Sequence, residues 1–286
     1  MKVAIMTDSN SGITQKEGKE NHISILPMPV NINGQDYLED INLTLEQFFD
    51  KLINDDVDVF TSQPVIGDLT KQWDHLLKDY DQIVHIPMSS GLSGSCQTAI
   101  MVADDPKYKG KVFVVDSQRI SVTQRCDAYD ALALAKAGKT GQEIYDILMD
   151  NKMNATIYIT VNTLTYLKKG GRITPAAAAL GGLLKIKPIL SIQGEKLDKC
   201  DTSRTLKKAK RIMIDRVKKD LKEKNMADNY HLYIAYTHDL NEALEFKTQV
   251  EEEFKHEVSV HPLSLSVSCH VGPGSLALAA CKKITD

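Results

Sequence analysis

The chain has 286 residues, of which 42% are hydrophobic and 26% are charged, and its formal net charge is −3 at pH 7. This length allows one large α/β domain or two packed domains, and the apolar content is too high for a disordered protein. The small negative charge gives no general reason to bind nucleic acid, and the basic run KKAKR at 207–211 is typical of the solvated face of a helix. We therefore expect a folded globular protein without a nucleic-acid partner.

The cysteines and histidines give no sign of a disulfide framework or a metal site. Five cysteines are scattered along the chain without a C-x-x-C spacing, and the histidines lie singly in unrelated segments. The amino terminus has only a four-residue apolar run, too short for the core of a signal peptide, and no stretch approaches roughly 18 apolar residues. We therefore predict a cytoplasmic protein with no bound metal and no stable membrane insertion.

Short apolar runs and segments of helical periodicity alternate through the first half of the chain. The apolar runs predict buried strands at 3–6, 83–88, 112–116 and 156–161. Helical periodicity is found at 42–55, 69–80, 127–138 and 141–152. In the first of these helices Thr44 and Gln47 match an S/T-x-x-Q capping box. The alternation predicts an α/β fold with a mainly parallel sheet flanked by helices.

The second half of the chain combines the same element types in a different pattern. We predict, in order, a short helix starting at Pro175, a hairpin turning near Gly194, a long amphipathic helix at 203–225, a strand at 231–237, a helix at 240–254, a strand at 258–266 and a final helix entered through HVGPG at 270–274. Because the pattern changes between 155 and 165, we expect two α/β domains and place them at 1–158 and 159–286.

A loop made almost wholly of serine and glycine follows the strand at 83–88. It reads SSGLSGS at 89–95, and a helix can continue from it. Exposed N–H groups at the carboxyl end of a strand and the amino end of a helix favour an anion. Gly94 lets backbone approach a ligand and Ser93 adds a hydroxyl donor, but the same serines also suit a simple helix cap. The phosphate-loop, dinucleotide and G-x-S-x-G patterns all fail here.

Three further turns carry candidate ligand-binding side chains. In FTSQP, Thr61 and Ser62 can reach a ligand or cap the helix that follows. In SCHVGPG, His270 stands beside two glycines before the expected helix and can donate to an anion or be an ordinary core residue. In KKGGRI, Arg172 can bind a carboxylate or phosphate in bidentate fashion or form a structural ion pair.

The ordered set TDSNSG, FTSQP, SSGLSGS, YLKKGGRI and HVGPG resembles the DegV family of bacterial fatty-acid-binding proteins. The match spans essentially the whole chain, and SSGLSGS and HVGPG carry most of its weight. Departures from the family pattern are minor. Val65 stands where a small hydroxyl is common, Ser268 and Cys269 stand where threonine is frequent, and Ser275 replaces a usual alanine.

The resemblance implies two α/β domains with a long-chain fatty acid buried between them. In this family the carboxylate is held by hydroxyls of the first two motifs and by backbone of the glycine loop. Carried over by motif, the anchors here are Thr61, Ser62, Ser93 and Gly94, with His270 close to the carboxylate. No cofactor is implied besides the bound acid. We also expect the Ala/Leu/Ile-rich stretch 176–190 to line the tail, unless it is ordinary core.

The resemblance further implies a partner, because some members are the binding subunit of a two-component fatty acid kinase. A separate ATP-dependent kinase then makes an acyl phosphate for phospholipid synthesis, and Arg172 matters for that partnership. We expect a monomer without a complete catalytic site of its own. Two alternatives stay open: an acyl hydrolase or acyltransferase using Ser93 as nucleophile and His270 as base, and a sensor whose lipid occupancy gates contact with another protein.

Overall fold

The structure is a computed structural model that describes residues 1–55, 57–182, 186–224, 226 and 229–284. Its strands are β1 (Val3–Asp8), β2 (Ile23–Leu26), β3 (Pro29–Ile32), β4 (Gln35–Leu38), β5 (Val59–Thr61), β6 (Gln82–Ile86), β7 (Val112–Val114), β8 (Ala155–Thr160), β9 (Lys187–Ile192), β10 (Asp198–Ser203), β11 (Tyr230–Tyr236), β12 (Val258–Pro262) and β13 (Leu276–Lys282). Its helices are α1 (Gln15–Asn21), α2 (Leu45–Asn54), α3 (Ile66–Leu76), α4 (Ser95–Ala103), α5 (Val122–Lys136), α6 (Gly141–Asn151), α7 (Thr165–Gly170), α8 (Pro175–Ala179), α9 (Leu206–Glu223), α10 (Leu240–Phe254) and α11 (Leu265–Val271). None of these helices is long and apolar enough to span a membrane.

A four-stranded parallel sheet forms the first half of the fold, in the order β2-β1-β6-β7. Successive side chains of β1 point to opposite faces, so Ile5 packs with α5 and α6 while Met6 packs with Trp73 of α3 and Ala99 of α4. Both faces are therefore covered by helices. This confirms the predicted parallel sheet flanked by helices.

A six-stranded mixed sheet forms the second half, in the order β10-β9-β8-β13-β11-β12. Only the β11–β12 pair among these is parallel. Helices α9 and α10 cover one face through an apolar stripe that includes Met213, Val217 and Phe246. On the other face, Ile159 shares a core cluster with Leu92, which belongs to the first half. The two halves are thus joined by apolar packing.

A small antiparallel sheet, β4-β3-β5, is present in addition to the elements predicted from the sequence. Its hairpin turns at Asn33 and Gly34, which both have positive φ. An Asn-Gly pair between short apolar runs is a strong hairpin signal, so the sequence does contain a local indication of this turn. The sheet packs on α2, and Cys269 of α11 joins the same cluster.

Several predicted elements are confirmed because their sequence signals are local. Helix α2 has the full capping box between Thr44 and Gln47. Helix α10 spans 240–254 as predicted, and α9 lies within the predicted 203–225. Strands β9 and β10 form the expected antiparallel hairpin around Gly194, whose φ is +84°.

The final helix predicted after HVGPG is wrong. His270 lies in the last turn of α11, and the chain then enters strand β13, which pairs with both β8 and β11. Gly272 and Gly274 have φ of +72° and +74°, a conformation that ends the helix and turns the chain into the sheet. The predicted strand at 258–266 is correspondingly shorter, because α11 begins at Leu265 with Ser264 as its cap.

The domain division at 158 and 159 stays a prediction, but its boundary falls inside a strand. Strand β8 runs from Ala155 to Thr160 and pairs only with β9 and β13 among the described strands. Since all of β8 belongs to the six-stranded sheet, a boundary drawn by sheet membership lies before Ala155.

Residues 183–185 of the stretch 176–190 lie outside the described residues.

A buried histidine on β6 makes acid sensitivity a property of this fold. His85 is 2% exposed, its ring stands edge-on to Trp73, and neither ring nitrogen has a hydrogen-bond partner among the described residues. Burial lowers the pKa of His85 to about 3, so the folded protein holds it neutral where an unfolded chain takes up a proton. The free energy of unfolding therefore has its full value, as far as His85 is concerned, above the ordinary histidine pKa of 6.5. It decreases as the pH falls below 6.5.

We predict that His85→Leu removes part of this acid sensitivity. Between pH 7 and pH 5 the free energy of unfolding should fall by about 2 kcal/mol less in the variant than in the wild type. Urea denaturation at both pH values measures the difference. Equal losses in the two proteins would contradict a neutral buried His85.

Candidate functional site

An apolar cavity lies where the glycine loop after β6 faces the six-stranded sheet. Its apolar lining comes from both halves of the chain: Met28, Met88, Leu92, Ile120, Val122, Ile157, Ile159, Leu167, Ile192, Leu197, Ala235, Leu263, Val267, Val271 and Ala277. Its polar lining consists of Asn10, Thr61, Ser62, Gln63, Ser93, Ser121, Arg172, Ser266 and His270. Every candidate side chain from the four turns therefore borders this one cavity, whereas Gly94 does not line it.

The stretch 176–190 does not contribute to this lining in the part that the structure describes. Ala177, Leu180 and Leu190 are instead buried in the core cluster shared with the cavity wall. The alternative of ordinary core packing therefore fits these described residues better than a role in lining the cavity.

The glycine loop brings Ser93 to the cavity without using it as a conventional helix cap. Gly94 occupies the N-cap position of α4, and no side chain caps that helix. The N–H of Ser95 donates to Ser93 Oγ at 3.2 Å, which orients the hydroxyl and leaves its own O–H available to donate. The backbone of Gly94 lies against the neighbouring turn, because a Cβ there would be 3.1 Å from Gln63 Oε1.

Close contact with the β9–β10 hairpin holds the glycine loop in place. Ser89 Oγ donates to the carbonyl of Gly194, and Ser90 Oγ donates to Asp116 Oδ2 at 2.6 Å. A Cβ on Gly91 would lie 2.4 Å from Gly194 O and 2.8 Å from Glu195 Cα, so no larger residue fits without displacing backbone. The loop is thus docked against a segment of the other half of the molecule.

The FTSQP turn faces the carboxyl end of α11 and does not cap a helix. Helix α3 has Val65 as its N-cap and no side-chain hydrogen bond at the cap. Thr61 and Ser62 therefore do not cap this helix. Thr61 Oγ1 instead lies 2.9 Å from His270 Nε2. Burial, with a smaller contribution from the charge of Arg172, lowers the pKa of His270 to about 4. The imidazole is therefore neutral at pH 7.

Arg172 brings a positive charge to the same place. Its Nε donates to the carbonyl of Leu92 at 3.3 Å, next to Ser93, and its NH1 donates to the carbonyl of Gly170. Among the described residues it makes no ion pair with an acidic side chain, so the structural ion pair considered for it is not observed. Its charge remains available to an anion at the cavity.

Four polar lining residues, Asn10, Gln63, Ser121 and Ser266, were not individual candidates from the sequence. Ser266 Oγ donates to Asn10 Oδ1, and the N–H of Ser121 donates to Asn10 O at 3.1 Å. Ser121 has a φ of +56°, which is rare for a serine and is a strained conformation. The sequence signals were the TDSNSG motif, which contains Asn10, and the FTSQP motif, which contains Gln63; neither motif points to Ser121 or Ser266.

Buried Asp8 ties the ends of the two central strands of the parallel sheet together. Its carboxylate accepts from Met88 N at 2.9 Å, from Asn10 N at 3.0 Å and from Gln124 Nε2 at 3.0 Å. Burial raises the pKa of Asp8, and these donors oppose that rise. Because Met88 directly precedes the glycine loop, Asp8 positions the start of that loop.

The arrangement suits an apolar ligand with one small anionic group. Most of the lining is aliphatic, while hydroxyls, a neutral imidazole and one guanidinium without an acidic partner are gathered around Thr61 and Ser93. In the described part of the chain, no group of three or more His, Cys, Asp or Glu side chains is placed to hold a metal ion.

Comparisons with known proteins agree with this geometry. A family model described as "Uncharacterised protein, DegV family" matches residues 2–283. A DegV domain-containing protein of Staphylococcus aureus is 30% identical over 287 residues, covering 99% of each chain. A solved structure described as DegV, a fatty acid binding protein from Bacillus subtilis, is 27% identical with a TM-score of 0.87, covering 99% of this chain and 100% of that one. A fatty-acid-binding DegV family protein from Thermus thermophilus is 25% identical with a TM-score of 0.86, covering 99% and 100%.

We predict that Gly91→Ala destabilises the protein by about 1 to 3 kcal/mol, because the new methyl group collides with backbone of the hairpin. Gly67→Ala is the matched control, since nothing lies within 4 Å of a Cβ at that position in α3. Alanine there should leave stability unchanged or raise it slightly. Chemical denaturation of the three proteins measures this, and a Gly91→Ala variant as stable as the wild type would contradict the close contact.

Proposed function

This chain belongs to the DegV family, and we propose that it binds a long-chain fatty acid and presents the carboxylate to a separate ATP-dependent kinase. The observation that carries the proposal is the apolar cavity whose polar lining includes Thr61, Ser93, Arg172 and His270. The fatty-acid-binding structures that resemble this chain at 25% and 27% identity support the same ligand class.

The hydrocarbon tail supplies most of the binding energy in this proposal. Burying about 14 methylenes at roughly 0.8 kcal/mol each contributes on the order of 11 kcal/mol before the entropy of association is lost. The aliphatic side chains from β8, β9, α7 and the glycine loop offer a surface of the required chemistry. Chain length and saturation are then set by the shape of the cavity.

The head group needs donors because removing a carboxylate from water costs several kcal/mol. We assign this role to the hydroxyls of Thr61, Ser62 and Ser93 and to His270, whereas the backbone N–H of Gly94, expected from the motif, does not line the cavity and is given no role. Hydroxyl and amide donors stabilise the anion without adding a competing buried charge. Arg172, which has no acidic partner among the described residues, supplies a positive charge.

The contact between Thr61 and His270 defines how both would act. If the Thr61 hydroxyl donated to Nε2 of His270, its one proton would not be available to the carboxylate. We therefore assign the Nε2–H tautomer, in which the neutral imidazole donates to Thr61 Oγ1 and the threonine O–H points to the carboxylate. The low pKa of His270, about 4, is consistent with a neutral ring at pH 7.

The kinase step requires a partner, because the sequence has no phosphate-loop or dinucleotide motif. A carboxylate oxygen of the bound acid attacks the γ-phosphorus of ATP on the partner. The new C–O–P linkage forms as the bond to the leaving diphosphate breaks, which yields an acyl phosphate and ADP. The acyl phosphate would then be the activated acyl donor for phospholipid synthesis.

We predict that the protein purified from bacteria carries a stoichiometric long-chain acid. Native mass spectrometry should show the added mass, and the same sample should release the acid when denatured. Absence of lipid, together with no uptake of added palmitate or oleate, would contradict the proposed function.

We also predict that Thr61→Ala or Ser93→Ala weakens fatty acid binding by about 1 to 3 kcal/mol, because a carboxylate lone pair loses its donor. Ser95→Ala is the matched control, since its hydroxyl is buried nearby but does not line the cavity. Calorimetric titration of delipidated protein with palmitate measures the change. Unchanged affinity in both variants would remove our head-group assignment. Turnover of acyl esters that Ser93→Ala abolishes would instead favour the hydrolase alternative.

A further inference from the structure

A second cavity opens beside the polar cluster, and we call it the vestibule. It shares Thr61, Arg172 and His270 with the apolar cavity and is further lined by Thr163, Thr165 and Lys169. Because the three shared residues border both spaces, a group bound to them in the apolar cavity lies next to the vestibule. The vestibule is therefore the neighbouring space into which an atom added to that group can extend.

An ion pair on the vestibule lining joins two elements that are distant in sequence. Lys169, at the end of α7, contacts Asp58, which directly precedes β5. Their side chains are 57% and 63% exposed. An exposed ion pair of this kind contributes little to stability, so exchanging its partner costs little free energy.

Among the described residues, the vestibule lining carries two cations and two acids. Lys169 and Arg172 are its cations, and Asp55 and Asp58 are its acids. Thr163 Oγ1 and Thr165 Oγ1 lie 2.8 Å apart on the same lining and add hydroxyl donors. In the acyl phosphate of the proposed reaction the negative charges lie on the phosphoryl group, and Arg172 alone does not balance them. Lys169 is the other cation among the described residues that line this space, and no hydrogen bond from it to a backbone carbonyl is present there.

We propose that the vestibule is a binding site for the phosphoryl group of an acyl phosphate, with Lys169 exchanging its contact with Asp58 for a contact with phosphoryl oxygens. This inference rests on the proposed function and specifies where its product is held. An acyl phosphate carries about one more negative charge than the free acid at neutral pH, and an ammonium group pairs well with phosphate oxygens. Asp58 would disfavour free anions that lack an acyl tail.

The test compares two ligands with the same tail on the delipidated full chain. Palmitate reports the carboxylate site alone, and 2-oxoheptadecylphosphonate replaces the bridging oxygen of palmitoyl phosphate with a methylene group. We expect Lys169→Ala to weaken the phosphonate about tenfold, as for one charge-assisted hydrogen bond, and to change palmitate affinity by less than about twofold. Asp58→Asn should strengthen phosphonate binding, because the competing carboxylate is gone.

Lys168→Ala is the matched control, because Lys168 is the preceding residue on α7, is exposed and does not line the vestibule. It should leave both affinities unchanged, and Lys169→Arg should retain phosphonate binding. Binding of inorganic phosphate and of ATP is measured on palmitate-loaded protein. These two titrations show whether the vestibule binds a free phosphate compound instead of the phosphoryl group of an acyl phosphate.

A phosphonate-to-palmitate affinity ratio that is equal in wild type and Lys169→Ala would overturn the inference while leaving fatty acid binding intact. Binding of ATP that depends on Lys169, without an effect on the phosphonate, would overturn the assignment to an acyl phosphate. Failure of palmitate to bind the wild type would overturn the proposed function, and this inference with it.

Discussion

The close backbone contact between the glycine loop and the β9–β10 hairpin is the constraint on which the site depends. At Gly91 a single methyl group would lie 2.4 Å from the carbonyl of Gly194, and Ser89 Oγ donates to that same carbonyl. The serine hydroxyl thereby satisfies a backbone acceptor at the point where the two segments meet. With the loop docked in this way, the carboxyl end of β6 faces the second sheet and both halves of the chain line one cavity.

Charge at the polar end of that cavity is kept low by burial. His270 is neutral because burial and the nearby guanidinium of Arg172 both disfavour a second positive charge. The remaining donors are hydroxyls and backbone amides, which leaves Arg172 as the single cation among the described residues that line the apolar cavity. A site with one net positive charge is matched to a monoanion. A more highly charged group needs the additional cation that Lys169 offers in the vestibule.

The accuracy of the sequence-based predictions follows the range of the interactions involved. Helices α2 and α10 and the long helix α9 were predicted because amphipathic periodicity and capping involve neighbours a few residues apart. The helix predicted after HVGPG was wrong because Leu276 to Cys281 are apolar enough for either element, and pairing with two distant strands decides for a strand. The β4-β3-β5 sheet was missed because its strands are short, although Asn33-Gly34 signalled its hairpin.

The sequence by itself determined the chemistry available to the site: four hydroxyl-rich or glycine-rich turns, one histidine, one arginine, and no phosphate-loop motif. Only the tertiary structure decided that these turns meet, since the Thr61–His270 contact joins residues 209 positions apart and the Ser89–Gly194 contact joins residues 105 apart. It also decided the neutral state of His270 and the pairing of Lys169 with Asp58. The physical reason is that burial and electrostatic environment depend on segments that are distant in the chain, whereas turn and helix signals depend on neighbouring residues.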